Sequence, residues 1–159
     1  MNDIYAILNK LNIIYEKIDH PAVYTVDEAE KHTGSIKGTH NKSIFLRNKK
    51  GDKYYLVITI GSKRLDLKKL QVFLNESKLS FASPERLLQH LKLTPGSVSP
   101  FGLINDVHKK VQVIVDEELL QFEKVGFHPN INTATLIITT DDLKIFLKWI
   151  NNKIVYIKL

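Results

Sequence analysis

The sequence contains no cysteine. That one absence excludes thiol nucleophiles, zinc–thiolate centres and disulfide scaffolds. Arginines are few, and the basic residues are mostly lysines spread singly along the chain. An arginine-rich nucleic-acid arm is therefore not expected. No apolar run approaches the ~18 residues of a membrane-spanning helix. The opening segment MNDIYAILNKLN carries Asp3, Asn9 and Lys10 where a signal peptide needs an unbroken apolar stretch. A cytoplasmic protein without a membrane partner is the expectation. Internal repeats, low-complexity tracts and Pro/Gly/Ser linkers are also missing. Chemical motifs are equally sparse. GSIKG lacks the spacing of a phosphate-binding P-loop, and GSVSPFG is not a nucleophile elbow. No histidine pair has the i, i+3 or i, i+4 spacing of a helical metal site. No metal and no cofactor are expected.

What is present suits one folded unit spanning residues 1–159. The 159 residues are 43% hydrophobic, enough for a core without staples. The formal charge of +6 is compatible with a polyanionic partner. Ile4, Ile7, Leu8 and Leu11 share a helical face, and YEKID (15–19) reads as a short strand. Thr25 and Glu28 form a capping box for a helix ending near His32 to Gly34. KSIFLRN (42–48) and KYYLVITI (53–60) flank Lys49-Lys50-Gly51-Asp52, the pattern of a hairpin. Leu67, Leu70 and Leu74 follow Asp66 as a helix, LSFAS (79–83) is a strand, and Ser83-Pro84 starts another helix. VQVIVD (111–116) and TATLIITT (133–140) are strands. DEELL between them is a brief turn or helix, in which Asp116 and the glutamates that follow supply favourable charge near the start. Thr140 is expected to cap a last helix, and IVYIKL closes the chain as a strand. Strands and helices do not alternate strictly, so the fold class is α+β (mixed α/β) around a central sheet.

Two of the seven glycines and one of the five prolines fall within residues 96–102, in the stretch GSVSPFG. Glycine permits backbone shapes and close approaches closed to other residues. Amides held by such a loop can bind a carbonyl or phosphate oxygen. An ordinary tight connection before a strand fits the local composition as well.

The loop has company. His20-Pro21-Ala22-Val23-Tyr24-Thr25-Val26, then Lys42-Ser43-Ile44-Phe45-Leu46, then Gly96 to Asp106, then Gly126-Phe127-His128-Pro129-Asn130 occur in that order. This ordered set resembles the YbaK/prolyl-tRNA synthetase editing-domain family, and within it the freestanding ProX-type branch that deacylates alanyl-tRNA(Pro). The resemblance runs from about residue 15 to the end. It implies a mostly antiparallel central sheet flanked by helices and hydrolysis of the ester that joins a wrong amino acid to the terminal adenosine of tRNA(Pro). Prolyl-tRNA synthetase is a second partner that it suggests. Lys42 falls on the family's key lysine, and Gly96, Ser97, Val98, Ser99 and Pro100 on its G-x-x-x-P loop. His128 falls in the pocket receiving the aminoacyl group. Asn105 is a pocket neighbour, and Val23 or Tyr24 helps to wall the pocket.

An aminoacyl ester is a reactive acyl donor, so a held water and a stabilised oxyanion suffice without a covalent nucleophile. On this reading Lys42 anchors the terminal phosphate or ribose. The loop admits alanine and excludes the proline ring. Replacing Gly96 or Ser99 with a bulky residue should abolish deacylation while leaving the fold intact. Lys49, Lys50, Lys68 and Lys69 are candidate contacts to the acceptor stem from charge alone. The alternatives are a cysteinyl-tRNA(Pro) or Ser/Thr-tRNA deacylase of the YbaK type, and a non-catalytic tRNA- or synthetase-associated module.

Overall fold

The structure is a computed structural model and describes residues 3–22 and 41–159. The capping-box helix expected after Thr25 lies outside these residues.

Helix α1 (Ile4–Lys10) starts where the Asp3 carboxylate accepts from the Tyr5 amide, and it buries Ile4 and Leu8. Strands β1 (Glu16–Asp19), β2 (Asn41–Asn48) and β3 (Tyr54–Ile60) follow. Residues Lys49–Lys53 close the β2–β3 hairpin around Asn48. Its side-chain oxygen accepts from the amides of Gly51, Asp52 and Lys53. Gly51 takes φ +73°, a conformation glycine enters freely. Helix α2 (Leu67–Leu74) is capped by Asp66. After β4 (Leu79–Phe81), helix α3 (Pro84–Leu91) has Ser83 as cap and Pro84 in its first turn, as the sequence indicates.

The next segment is more ordered than a loop. Residues Pro100–Asn105 form a 3-10 turn, whose N-cap Ser99 accepts from the Phe101 amide at 3.1 Å. Then come β5 (Val111–Asp116), a 3-10 turn (Glu117–Gln121), β6 (Lys124–Phe127), β7 (Ala134–Thr139), α4 (Thr140–Ile150) and β8 (Ile154–Ile157). The cap of α4 is Thr139, one residue earlier than the sequence reading placed it: its hydroxyl accepts from the Asp142 amide at 3.1 Å. Thr140 is pinned elsewhere, its amide and its hydroxyl donating to the carbonyls of Glu123 and Phe122.

The strands make two sheets. The larger has the order β4-β2-β3-β5-β8, and the smaller β1-β7-β6. The smaller sheet and the β4-β2-β3 half of the larger one are antiparallel, while β3-β5 and β5-β8 are parallel. Alternation along β2 and β3 divides the core. Phe45, Tyr54, Leu56 and Ile58 face a large cluster shared with α1, α3, α4, Phe101 and the smaller sheet. Leu46, Tyr55, Val57 and Ile114 face a second cluster under α2 and the chain's last residues.

Candidate functional site

The start of β2, the 96–102 loop and the segment after β6 come together. The Asn41 side-chain oxygen accepts from the Gly126 amide at 2.9 Å, tying β2 to β6. Phe127 meets the edge of Phe101 with ring centroids 5.9 Å apart. Asn130, at φ +64°, donates from its side-chain amide to the Phe101 carbonyl at 3.4 Å. A carbonyl only accepts, so this bond fixes which end of the Asn130 amide is nitrogen. Its oxygen is then buried without a partner among the described residues, as is the Ser43 hydroxyl, which shares a face of β2 with Asn41 and Phe45.

His128 follows Phe127 and lies next to His20, with ring centroids 5.9 Å apart in an edge arrangement. Its Nδ1 lies 3.0 Å from the Ala134 carbonyl and therefore carries the hydrogen. Burial lowers the affinity of the His128 ring for a second proton. The Ala134 bond works against that, and His20 reinforces it. The ring is accordingly neutral near pH 7, with an Nε2 lone pair left to accept. His20 is buried, with Nδ1 2.9 Å from the Pro21 carbonyl and Nε2 2.9 Å from the Thr135 hydroxyl. The sequence reading quoted His20 but assigned it no role. Ser43 and Asn130 stand in quoted motifs but were likewise given no role, and Thr135 carried no motif that would single it out.

The loop is held from inside. Gly96 takes φ +91°. The Ser97 amide donates to the Thr94 carbonyl and the Gly102 amide to the Ser99 carbonyl. Ser97, Ser99 and Pro100 are buried. The amides of Gly96, Val98 and Ser99 have no hydrogen-bond partner among the described residues. These three are the ones free to face an oxyanion. Gly102 allows a close approach: a β-carbon there would stand 2.6 Å from Leu93 Cδ1. Asn105 is turned to a structural task, its amide donating to the Leu91 carbonyl at the end of α3. Val23 and Tyr24 lie outside the described residues.

Lys42 is half-buried, makes no hydrogen bond or ion pair with a described residue, and is held below the ordinary lysine pKa by burial. Alternation puts its side chain on the Ile44 and Leu46 face of β2, opposite Asn41 and Ser43. The register pairs it with Thr59. The Thr59 hydroxyl donates to Asp116 at 2.7 Å, and Lys63 donates to the same carboxylate oxygen at 2.7 Å. Burial alone would raise the Asp116 pKa, but these bonds hold it below the usual carboxylate value. Asp116 also accepts from the Glu118 amide, so the expected charge at a turn start is there. Nothing local in the sequence marks the same carboxylate as the anchor of a buried ion pair with Lys63.

Among the described residues no group of three or more His, Asp or Glu side chains could hold a metal, and no helix is long and apolar enough to cross a membrane. The model of the aminoacyl-tRNA editing domain matches residues 20–146. The chain is 42% identical to the prolyl-tRNA editing protein ProX of Acetoanaerobium sticklandii, over 91% of this chain and 88% of that protein. It is 34% identical to the mouse (Mus musculus) prolyl-tRNA synthetase associated domain-containing protein 1, over 89% and 85% of the two chains. Its fold matches the solved structure of a candidate trans-editing enzyme for prolyl tRNA synthetase with a TM-score of 0.74, at 22% identity and covering 99% and 95% of the two chains.

Proposed function

The chain belongs to the aminoacyl-tRNA editing domain family, and from that premise we propose that it is a trans-editing hydrolase. It cleaves the ester joining alanine to the terminal ribose of tRNA(Pro) and spares the prolyl ester. The observation that carries the reading is the convergence of Asn41, Phe101, Gly126 and His128 at the start of β2, in a chain so similar to a prolyl-tRNA editing protein.

The ester lies across the start of β2. Ribose and terminal phosphate sit on the Lys42 side, where a half-buried ammonium with no carboxylate partner among the described residues suits an anion. The aminoacyl group sits on the Asn41 and Ser43 side, beside the loop and His128. Water adds to the carbonyl carbon, and the tetrahedral oxyanion is held by the free amides of Gly96, Val98 or Ser99. The carbon–oxygen ester bond then breaks. The ribose oxygen leaves with a proton, giving free alanine and tRNA. The neutral His128 Nε2 and the unpaired oxygens of Asn130 and Ser43 accept hydrogen bonds from the substrate ammonium or the attacking water. A pocket closed by Gly96 to Pro100 rejects a bulkier ring by overlap. Its rejection of smaller groups is weaker, about 1–3 kcal/mol for each methylene lost.

The test is deacylation of tRNA(Pro) charged in turn with alanine, cysteine, serine and proline. Alanine is expected to be released, proline retained, and Lys42→Ala slower by ~10²-fold or more. A preference for cysteine would reassign the substrate. Failure to release any amino acid would remove the catalytic reading.

A further inference from the structure

A second concave region lies on the face of the larger sheet that carries Lys42. It is a groove of about 590 Å³ between α2 and the end of β8, within the size range of ligand sites. Its floor is apolar, including Leu70 and Ile157. Phe73 lines it with an exposed ring, 52% accessible, and Tyr156 of the edge strand β8 borders it, 37% accessible. Arg64, Lys69 and Lys158 also line it, all exposed. None of these three side chains is held in an ion pair or hydrogen bond among the described residues. The acids nearby are Asp66, whose carboxylate caps the Lys69 amide, and Glu117. Lys63, also in the lining, is spent on Asp116 and Glu118. Free cations beside an exposed ring on an apolar floor are what single-stranded nucleic acid needs: charge for the phosphates and a flat surface for a base.

Register links this groove to Lys42. Lys42 pairs with Thr59, Thr59 bonds Asp116, and Asp116 pairs with Ile157 in the groove floor. The four residues form one row across β2, β3, β5 and β8 on a single face. At ~4.8 Å per strand the row spans ~14 Å. A chain whose last ribose sits at Lys42 therefore reaches the groove with its preceding nucleotides.

We propose that this groove binds the single-stranded 3′ end of the tRNA upstream of its terminal nucleotide, with Arg64, Lys69 and Lys158 contacting phosphates and Phe73 stacking on a base. The proposal rests on the aminoacyl-tRNA reading above, but its test needs no catalysis. A fluorescently labelled, uncharged RNA hairpin of the tRNA(Pro) acceptor stem is titrated with the protein, once with its single-stranded 3′ overhang and once blunt. The wild type should bind the overhang hairpin more tightly. The triple variant Arg64→Ala/Lys69→Ala/Lys158→Ala should weaken that binding at least ~10-fold and reduce the slope of log K against log salt by about 2. Phe73→Ala should weaken it about five-fold or more. All these side chains are exposed, and thermal melts verify that the variants fold. Overhang and blunt hairpins bound alike, or variants binding as the wild type does, would overturn the proposal. Wild-type deacylation of alanyl-tRNA(Pro), measured in parallel, reports on the catalytic reading independently.

Discussion

His128 couples the site to pH. Burial lowers its pKa from the ordinary 6.5, so the folded protein takes up this proton less readily than the unfolded chain. Below about pH 6.5 the unfolded state binds more protons, and stability falls as pH falls until the folded-state pKa is passed. His90 is shifted in the same direction, also by burial first, so the comparison with His128→Gln isolates the His128 share. Urea titrations between pH 7 and pH 5 should show the wild type losing more stability than the variant. Deacylation should decline over the same acid range as Nε2 becomes protonated. Asp116 behaves in the opposite sense. Its depressed pKa supplies stability that is present above the ordinary 3.8 and lost as pH drops through the folded value. Lys63→Ala leaves that carboxylate with only the Thr59 hydroxyl and the Glu118 amide. It should cost about 1–3 kcal/mol in denaturant unfolding at pH 7, whereas an exposed pair such as Lys17–Asp19 should contribute under ~1 kcal/mol.

At the scale of elements, the 96–105 segment is built by backbone needs as much as by a ligand. A side chain at Gly96 would have to adopt φ +91°, and Ser99 is the fully buried cap of the 3-10 turn. Bulky replacements at either position therefore disturb the local fold too, which alters the expectation drawn from the sequence. Gly102→Ala is the more informative change. Its β-carbon would stand 2.6 Å from Leu93 Cδ1, so the buried Leu93 side chain or the loop must shift. The expected result is about 1–3 kcal/mol of destabilisation with a larger effect on deacylation, since a displacement near 1 Å can cost ~10²-fold. Elements that announce themselves locally were legible: the Asp66 and Ser83 caps, the Lys49 to Asp52 turn and the β-rich run of β3 all match. Strand β6 was not, because Lys124-Val-Gly-Phe127 is short and holds a glycine, and its strand character comes from pairing with β7. The parallel arrangement of β3, β5 and β8 has no local signal either. For the site, the order of the motifs showed which segments converge. It did not show that Lys42 and His128 approach from opposite faces of β2, since facing depends on register.

On the proposed function one substrate meets two surfaces of the molecule, the loop and His128 side of β2 and a basic face beyond Lys42. Lys49 and Lys50 sit in the hairpin at the other end of β2, roughly 23 Å from Lys42 at ~3.3 Å per residue. They lie away from the row that leads to the groove. If phosphates supply much of the affinity, kcat/KM for charged tRNA should fall steeply between 50 and 200 mM salt. Hydrolysis of a minimal alanyl-adenosine ester should change little. Equal salt dependence for the two substrates would argue against an extended RNA contact.

The pairing of β1 with β7 joins Glu16 to Ile137, and the His20–Thr135 bond follows from it. A ribosome that has made β1 must add more than a hundred residues before its partner strand exists. The larger sheet can begin from the β2–β3 hairpin, but the smaller sheet cannot assemble until β7 has been made. Contacts of such sequence separation are slow to form. The His20–His128 neighbourhood therefore takes shape after the hairpin that carries Lys42, and a translation product cut short before β7 would carry Lys42 without the strand that holds His20.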